Sequence, residues 1–264
     1  MGKILAIANN KGGCGKSTTA VNLSAALRLR GYDVLLIDVD GQANATDILR
    51  VPTSGGTMFD ALKQENAPRL TPVRVLPPEN GAGVLDVLPS CVNLSSVEVG
   101  LSQTNDGITR LKSYTDKYRD DYDIIVIDTP PAQGNLMFSA LYCCDWVLLP
   151  LLPQYLHVSG LSAILNTLGQ IETLRGVKIP RRVLFTIYDN RKSTHRGTAE
   201  QVEGAGVPVF STRIRENVAI AEAPIIGVDI FRYKPKSNGA EDYGALCSEF
   251  VNLYKPRHVN HRYK

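Results

Sequence analysis

The sequence has no run of 18 apolar residues, so it predicts no helix that crosses a bilayer. It also predicts no secretory leader, because residues 3–8 have the pattern of a buried strand directly after Met1 and Gly2. Internal repeats and low-complexity segments are absent as well. The cysteines have no metal-ligand spacing and indicate small buried side chains in a reducing compartment; they are Cys14, Cys91, Cys143, Cys144 and Cys247. These absences exclude membrane-spanning, disulfide-stapled and zinc-module classes, and they predict a cytoplasmic protein.

The chain does contain enough apolar material for one sizeable core, with 264 residues of which 44% are hydrophobic and 21% charged. Continuous apolar runs alternate with stretches whose apolar residues recur at helical spacing. Such runs are typical of strands buried on both faces of a parallel sheet. We therefore predict an α/β fold with a mostly parallel central sheet and helices on both faces. Residues 1–254 would form a single domain, and residues 255–264 a basic, mobile tail.

The individual elements follow from the same pattern. Strands are predicted at residues 3–8, 33–38, 84–89, 123–128, 146–149, 182–187 and 207–211. Helices are predicted at residues 18–30, 159–174, 196–203 and 243–253, among others. Residues 51–83 are rich in Pro, Gly and Thr, and we predict only a short helix there, at 58–63, between loops.

A Gly-rich loop, NNKGGCGKSTT at residues 9–19, lies between a predicted strand and a predicted helix. In that context a loop can cradle phosphate, because glycines let successive N–H groups turn inward and the helix N-terminus adds positive potential. Lys16 can reach the β- and γ-phosphates, and the Ser17 hydroxyl can bind Mg²⁺. Asn10 stands where the common pattern has its first glycine, and Lys11 is a lysine that its own loop does not need. The predicted nucleotide contacts of the loop are Gly12, Gly13, Cys14, Gly15, Lys16, Ser17 and Thr18.

Carboxylates stand at the ends of two predicted strands. One strand ends in the sequence IDVD, with Asp38 and Asp40, and another ends in IVIDTPP, with Asp128. Because the strand ends of a parallel sheet face the ligand crevice, these carboxylates would lie opposite the phosphate loop. Carboxylates there suit the hydration shell of Mg²⁺ and the positioning of water. We therefore predict a metal site formed by Ser17, Asp38 and Asp128.

These segments resemble the ParA/MinD family of deviant Walker-type ATPases, and in particular its short, Soj-like ParA partition proteins. In that family the first lysine of the loop crosses a dimer interface and touches the partner's ATP, which is the role implied for Lys11. The resemblance also implies that Asp40 aligns the attacking water and that Asp128 holds Mg²⁺. The catalytic set would then be Lys11, Lys16 and Asp40. Gly41 stands where the family has proline, which loosens the loop after Asp40.

The resemblance continues to about residue 253. Residues 186–191 (TIYDNR) and 211–224 (STRIRENVAIAEAP) are similar to C-terminal segments of ParA proteins. In relatives the turn around the E-A-P motif packs on adenine, which implies that Glu222, Ala223 and Pro224 contact the base.

The net charge of +3 is unevenly distributed. Residues 181–196 carry five Lys/Arg and one Asp, and the tail carries four Lys/Arg and no acid. Two basic clusters on a nearly neutral body indicate a surface for a polyanion. We predict that Arg191, Lys192 and Arg196 contact DNA in preference to the tail, because they follow a strand and begin a helix in a fixed place.

The resemblance implies a slow, partner-stimulated partition ATPase that uses ATP and Mg²⁺. ATP binding would form a homodimer that binds DNA without sequence preference, associates with the nucleoid, and is released when a ParB-like adaptor or centromere-binding protein stimulates hydrolysis. One alternative is a MinD-like ATPase at the membrane surface, which we disfavour because Pro256 interrupts any C-terminal amphipathic helix. Another is a metabolic synthase or reductase of the same superfamily. The adjacent cysteines at 143 and 144 are poorly placed to hold a cluster between subunits, so no membrane or cluster is predicted.

Overall fold

The computed structural model describes residues 1–104 and 106–258, and of residues 155–159 the backbone alone. Within these residues seven strands form one sheet: β1 (Lys3–Ile7), β2 (Val34–Asp38), β3 (Val73–Leu76), β4 (Leu85–Leu88), β5 (Ile124–Asp128), β6 (Trp146–Leu151) and β7 (Arg181–Phe185). Their order is β3-β4-β2-β5-β1-β6-β7. All neighbours pair in parallel except β3 and β4. The predicted fold class is confirmed.

Helices cover both faces of this sheet and bury an apolar core on each. One core involves α1 (Lys16–Leu29), α2 (Asn44–Ile48), α9 (Val218–Ile226), α10 (Ile230–Tyr233) and α11 (Asn238–Tyr254). The other involves α3 (Met58–Leu62), α4 (Leu94–Ser102), α5 (Arg110–Thr115), α6 (Asn135–Cys143), α7 (Tyr155–Arg175) and α8 (Ser193–Gly204). A short 3₁₀ helix, Asp116–Tyr118, follows α5. No helix in the described part of the chain is both long and apolar enough to cross a membrane.

Two predictions about strands are wrong. Residues 207–211 form no strand, since only Val209 pairs with Val183, as an isolated bridge; Pro208 has no N–H to extend the ladder. Conversely, β3 lies in the stretch predicted as loops. Its side chains are half-buried or exposed, because it is the antiparallel edge strand, so it lacks the continuous apolar run of the central strands.

The C-terminal segment also differs from prediction. Residues 255–258 are not free of the domain: Pro256 is buried, and the His258 ring stacks on Tyr32 with 4.6 Å between ring centroids. His258 Nδ1 lies 3.2 Å from Asp123 Oδ2. The tail therefore starts from a docked position, while residues 259–264 lie outside the described residues.

Candidate functional site

The loop between β1 and α1 has the backbone of an anion cradle. Gly13 and Gly15 have φ of 73° and 80°, in the left-handed region that glycine adopts without strain. A Cβ added at Gly12 or Gly13 would meet no atom within 4 Å, so this side of the loop faces open space. The N-terminus of α1 has no side-chain cap, which leaves its first N–H groups available for a negatively charged ligand.

Hydrogen bonds to the ends of β6 and β7 hold this loop in place. The Asn9 amide donates to the carbonyl of Pro150 at the end of β6, with 2.6 Å between Nδ2 and O. Just after β7, the Thr186 hydroxyl donates to the Cys14 carbonyl at 2.9 Å. Cys14 itself is fully buried, and this burial raises the pKa of its thiol, so it lies under the loop and not in the cavity.

The two lysines of the loop point in different directions. Lys16 is almost completely buried, and its Nζ donates to the Lys11 carbonyl at 3.0 Å, inside the curl of the loop. The Lys11 side chain is exposed and lies against α7, where a Cβ added at Gly160 would be 3.1 Å from its Cε. Lys11 thus does not line the cavity of its own subunit among the described residues. Among the described residues the Lys11 ammonium group makes no hydrogen bond or ion pair.

Two carboxylates lie side by side in register on β2 and β5, where Asp38 pairs with Asp128. Both are fully buried, but their surroundings differ. Asp38 accepts bonds from the Thr46 N–H (2.9 Å), the Thr46 hydroxyl (2.8 Å) and the Asp40 N–H (3.1 Å). Neither oxygen of Asp128 has a hydrogen-bond partner among the described residues. Burial raises the pKa of Asp38 to about 6. Burial, and then the negative charge of Asp38, raises the pKa of Asp128 well above its usual range, although Ser17 and Lys16 oppose the rise.

A magnesium ion fits this arrangement. An unsatisfied buried carboxylate is costly, and a divalent cation with its water shell would satisfy both oxygens of Asp128. Ser17 lies near Asp128 and could provide the hydroxyl ligand. Asp38 is engaged by three internal donors, so its observed contacts shape the loop that carries Asp40.

Asp40 stands at the cavity wall with little exposure to solvent. Its Oδ1 accepts the Gln42 N–H at 3.0 Å, and its carbonyl accepts the Ser90 hydroxyl at 2.6 Å. The Gln42 N–H therefore orients the Asp40 side chain, the Ser90 hydroxyl holds its backbone, and Asp40 lines the same cavity as the loop glycines.

The cavity above the loop has a volume of about 760 Å³, which suits a nucleotide. Much of its remaining wall comes from the two segments that resemble ParA C-terminal segments, at residues for which the sequence predicted no nucleotide contact: Thr186, Ile187, Ile214, Arg215, Asn217, Val218, Ile220 and Ala221. Of the three residues predicted to contact the base, Pro224 lines this wall and Ala223 is buried behind it. Glu222 points elsewhere, because its carboxylate accepts from the Tyr233 hydroxyl and from Lys234.

The three residues predicted to bind DNA are adjacent, but two of them have acidic partners. Arg191 makes a two-point contact with Asp189, and holds the pKa of that carboxyl down at about 2. Lys192 lies 3.3 Å from Glu216. Arg196 bonds only to the carbonyls of Asn190 and Arg191 among the described residues. Arg196 is therefore the cation of this group with the least neutralised charge.

A Gly-rich cradle at the start of α1, acidic strand ends opposite it and a parallel sheet define a P-loop nucleoside triphosphatase of the ParA/MinD type. The family described as the AAA domain matches residues 2–179. Over 253 residues the chain is 37% identical to the sporulation initiation inhibitor protein Soj of Bacillus subtilis, covering 94% of this chain and 98% of that protein. The chain belongs to the Soj/ParA family of P-loop ATPases.

Two solved structures with other assigned roles share the fold. The cell division ATPase MinD of Pyrococcus furiosus is 28% identical, with a TM-score of 0.75 and coverage of 96% of this chain and 100% of that one. Cobyrinic acid a,c-diamide synthase of Mycobacterium smegmatis, with bound ADP and magnesium, is 26% identical, with a TM-score of 0.77 and coverage of 97% and 96%. The fold is thus shared by proteins with different names and roles.

Proposed function

We propose that the chain is a partition ATPase that hydrolyses ATP with Mg²⁺, binds DNA as an ATP-linked homodimer, and positions a cargo such as a plasmid or chromosome. The observation that carries the chemistry is the orphaned carboxylate of Asp128 beside the Lys16 loop. The greater identity to Soj than to the structures of MinD and of the diamide synthase favours partition over a membrane-surface or metabolic role.

The chemistry follows from positioning and electrostatics, because phosphoryl transfer requires little covalent help from the protein. The loop N–H groups and Lys16 would hold the β- and γ-phosphates. Ser17 and Asp128 would hold Mg²⁺, which when bound neutralises phosphate charge. Asp40 would orient the attacking water from the opposite wall. Arg215 is the one arginine that lines the cavity among the described residues, and its guanidinium is bonded to Asp242 and Glu241. Slow hydrolysis and stimulation by a ParB-like partner are consistent with this.

Replacing Lys16 tests the nucleotide site directly. In the Lys16→Ala variant the phosphate charge loses its buried partner, so affinity for a fluorescent ATP analogue should fall by at least about tenfold, the equivalent of ~1.4 kcal/mol. Lys178→Ala is a suitable control, since that lysine is exposed and lies at the far end of the sheet. Retained affinity in Lys16→Ala would remove the basis for the proposed site.

Replacing Asp40 separates hydrolysis from binding. Asp40→Ala should bind ATP normally but hydrolyse it at least about tenfold more slowly, because the water loses its positioning group while the phosphate contacts remain. Turnover under saturating ATP and equilibrium binding should be measured on the same preparation. A variant with unchanged turnover would exclude Asp40 as the water-aligning residue.

A further inference from the structure

Helix α4 lies between the two loops that leave β2 and β5 beside the candidate site. Its apolar side chains Leu94, Val97 and Leu101 are buried in the core. Ser95 and Glu98, three residues apart, lie one above the other on a neighbouring side of the helix. Ser95 contacts the first loop, and Glu98 contacts the end of the second.

Glu98 provides the N-terminal cap of another helix. Its Oε2 accepts the Asn135 N–H at 3.1 Å and its Oε1 accepts the Leu136 N–H at 2.9 Å. The Asn135 amide returns a bond to the Glu98 carbonyl at 3.0 Å. Helix α6 has no side-chain cap of its own, so the carboxylate of Glu98 satisfies its first N–H groups and complements its dipole.

Gly134 makes room for this carboxylate. A Cβ there would lie 2.0 Å from Glu98 Oε2, and its other nearest atoms also belong to the Glu98 carboxylate. The backbone at Gly134 is extended, with φ −114° and ψ −175°, which any residue adopts. Space for Glu98 is therefore the reason that a glycine is needed at this position.

The first loop meets α4 just as closely. Gly41 directly follows Asp40, and a Cβ added at Gly41 would lie 2.1 Å from the Ser95 hydroxyl oxygen and 3.2 Å from the Ser95 nitrogen. One face of α4 is thus fitted against the residue after Asp40 and against the segment that follows Asp128. Pro131, between Asp128 and Gly134, lines the cavity.

We propose that Glu98 is a positioning residue for hydrolysis, which through α4 keeps the loop of Asp40 and residues 129–134 in one relative arrangement. This inference rests on the proposed ATPase function. The cavity wall in the described structure includes the phosphate loop but no residue of α4, so removal of the Glu98 carboxylate should leave nucleotide affinity within about twofold. The turnover should fall about tenfold or more, since a small displacement of a reacting group has effects of that size.

Three variants test this role. Glu98→Ala removes the cap, and Gly134→Ala should displace the same carboxylate, so the two should have similar effects on kcat. Their combination should be no worse than either alone, because the added methyl group at position 134 has room once the carboxylate is gone. Glu200→Ala, an exposed glutamate on α8, is the matched control and should behave as the unchanged protein. A Glu98→Ala variant with normal kcat, or additive losses in the double variant, would overturn the proposal.

Amide hydrogen exchange without nucleotide gives a readout that does not depend on hydrolysis. Glu98→Ala should speed exchange at residues 134–136 and also at residues 40–44, across α4. Faster exchange at 134–136 alone would mean a simple helix cap and would overturn the link to Asp40. If the unchanged protein binds or hydrolyses no ATP, the proposed function fails, while the exchange result still decides whether α4 connects the two loops.

Discussion

Asp38 and Asp128 are neighbours in the sheet, but one accepts three hydrogen bonds and the other accepts none from described residues. The hydrogen bonds to the first carboxylate therefore offset part of the cost of its burial, whereas no hydrogen bond from a described residue offsets the burial of the second. A polar site of this kind is typical of binding sites, where stability is lost for function.

Replacing each of these carboxylates with its amide should change stability in opposite directions. Asp128→Asn removes a buried carboxylate that accepts no hydrogen bond in the geometry of the described residues, so the free energy of unfolding without nucleotide should rise by about 1 kcal/mol or more. In Asp38→Asn the amide NH₂ group would face one of the groups that donate to Asp38, at Thr46 or Asp40, so the free energy of unfolding should fall by a similar amount. Urea unfolding of both variants without Mg²⁺ checks this, and an equal loss in both would contradict the difference in surroundings.

The pH dependence of this difference has a definite sign. The pKa of Asp128 is higher in the folded protein than in the unfolded chain, so the folded state binds the proton more tightly. That contribution to stability is present at low pH and is lost as the pH rises from about 4 through the folded pKa. The stabilisation of Asp128→Asn over the unchanged protein should therefore grow as the pH rises. A constant difference between about pH 4 and pH 7 would show that Asp128 keeps an ordinary pKa.

At the residue scale, the sequence predicts what is local. Lys16, Ser17 and Asp128 could be located because a glycine loop after a strand, and an acid at a strand end, are recognisable from the neighbouring sequence alone. The partners that shape the site could not be located. Thr186 reaches Cys14, and Glu98 reaches α6, across long stretches of sequence that only the fold brings together.

At the scale of elements, predictability follows burial. The central strands are apolar along their whole length, because both faces are covered, and their positions were predicted to within two residues. The edge strand β3 has no such run and was missed. The short helix predicted at 58–63 is present as α3, where Thr57 and Asp60 form a capping box that the sequence already contains.

One contact joins the segment after α2 to α9, two helices that both contribute residues to the cavity wall. Arg50, just after α2, donates to the Ile225 carbonyl near the C-terminus of α9 at 2.8 Å. It also occupies the space beside Gly227, where a Cβ would be 2.5 Å from Arg50 Cδ. A cation at this position complements the negative end of a helix.

Removing this contact should loosen α9. Arg50→Ala should lower the free energy of unfolding by about 0.5–1 kcal/mol, because the carbonyl at the helix end loses its charged donor. Lys63→Ala removes an exposed pair on α3 and should have a smaller effect. Denaturant unfolding of both variants at equal salt is the measurement, and equal effects would mean that Arg50 acts only as a surface residue.

At the scale of the whole molecule, the nucleotide site and the start of the tail lie at opposite ends of the central strands. The phosphate loop follows the carboxyl end of β1, whereas His258 contacts Tyr32 and Asp123, just before β2 and β5. The tail therefore leaves the domain far from the site. Thr186, just after β7, donates to the phosphate loop, so the chain between β7 and α8 is connected to the nucleotide site. A DNA surface at the start of α8 would therefore be coupled to ATP binding more directly than the tail.

The exposed position of Lys11 leads to a prediction about ATP-dependent dimerisation. Lys11→Ala should leave the affinity of a single subunit for nucleotide nearly unchanged, since its side chain does not line that cavity in the described residues. It should weaken ATP-dependent dimerisation by about tenfold or more if it contacts the partner's phosphates. Sedimentation with ATP and Mg²⁺ measures this, and normal dimerisation would make Lys11 a surface residue.

The charge partners around α8 predict unequal roles in DNA binding. Arg191 and Lys192 each face a carboxylate, so contact with DNA requires them to exchange partners, whereas Arg196 is held by carbonyls. Arg196→Glu should therefore weaken ATP-dependent DNA binding more than Lys192→Glu does. Replacing all three with Glu should abolish it while ATP binding persists.

Measuring DNA binding by the dimer at several salt concentrations distinguishes contacts made by that surface from an effect of the protein's net charge. Removing one phosphate contact should reduce the slope of log K against log salt by about 0.9, so the triple variant should have a flatter salt dependence as well as a weaker affinity. A second triple variant with the same charge change, at Lys63, Lys112 and Lys117 near α3 and α5, should keep the slope of the unchanged dimer, because a change in overall charge releases no counterion from a contact. Equal effects in the two variants would point to overall charge. An effect seen only on removing residues 259–264 would assign the surface to the tail, and absence of ATP-dependent binding at low salt in the unchanged protein would contradict the partition function itself.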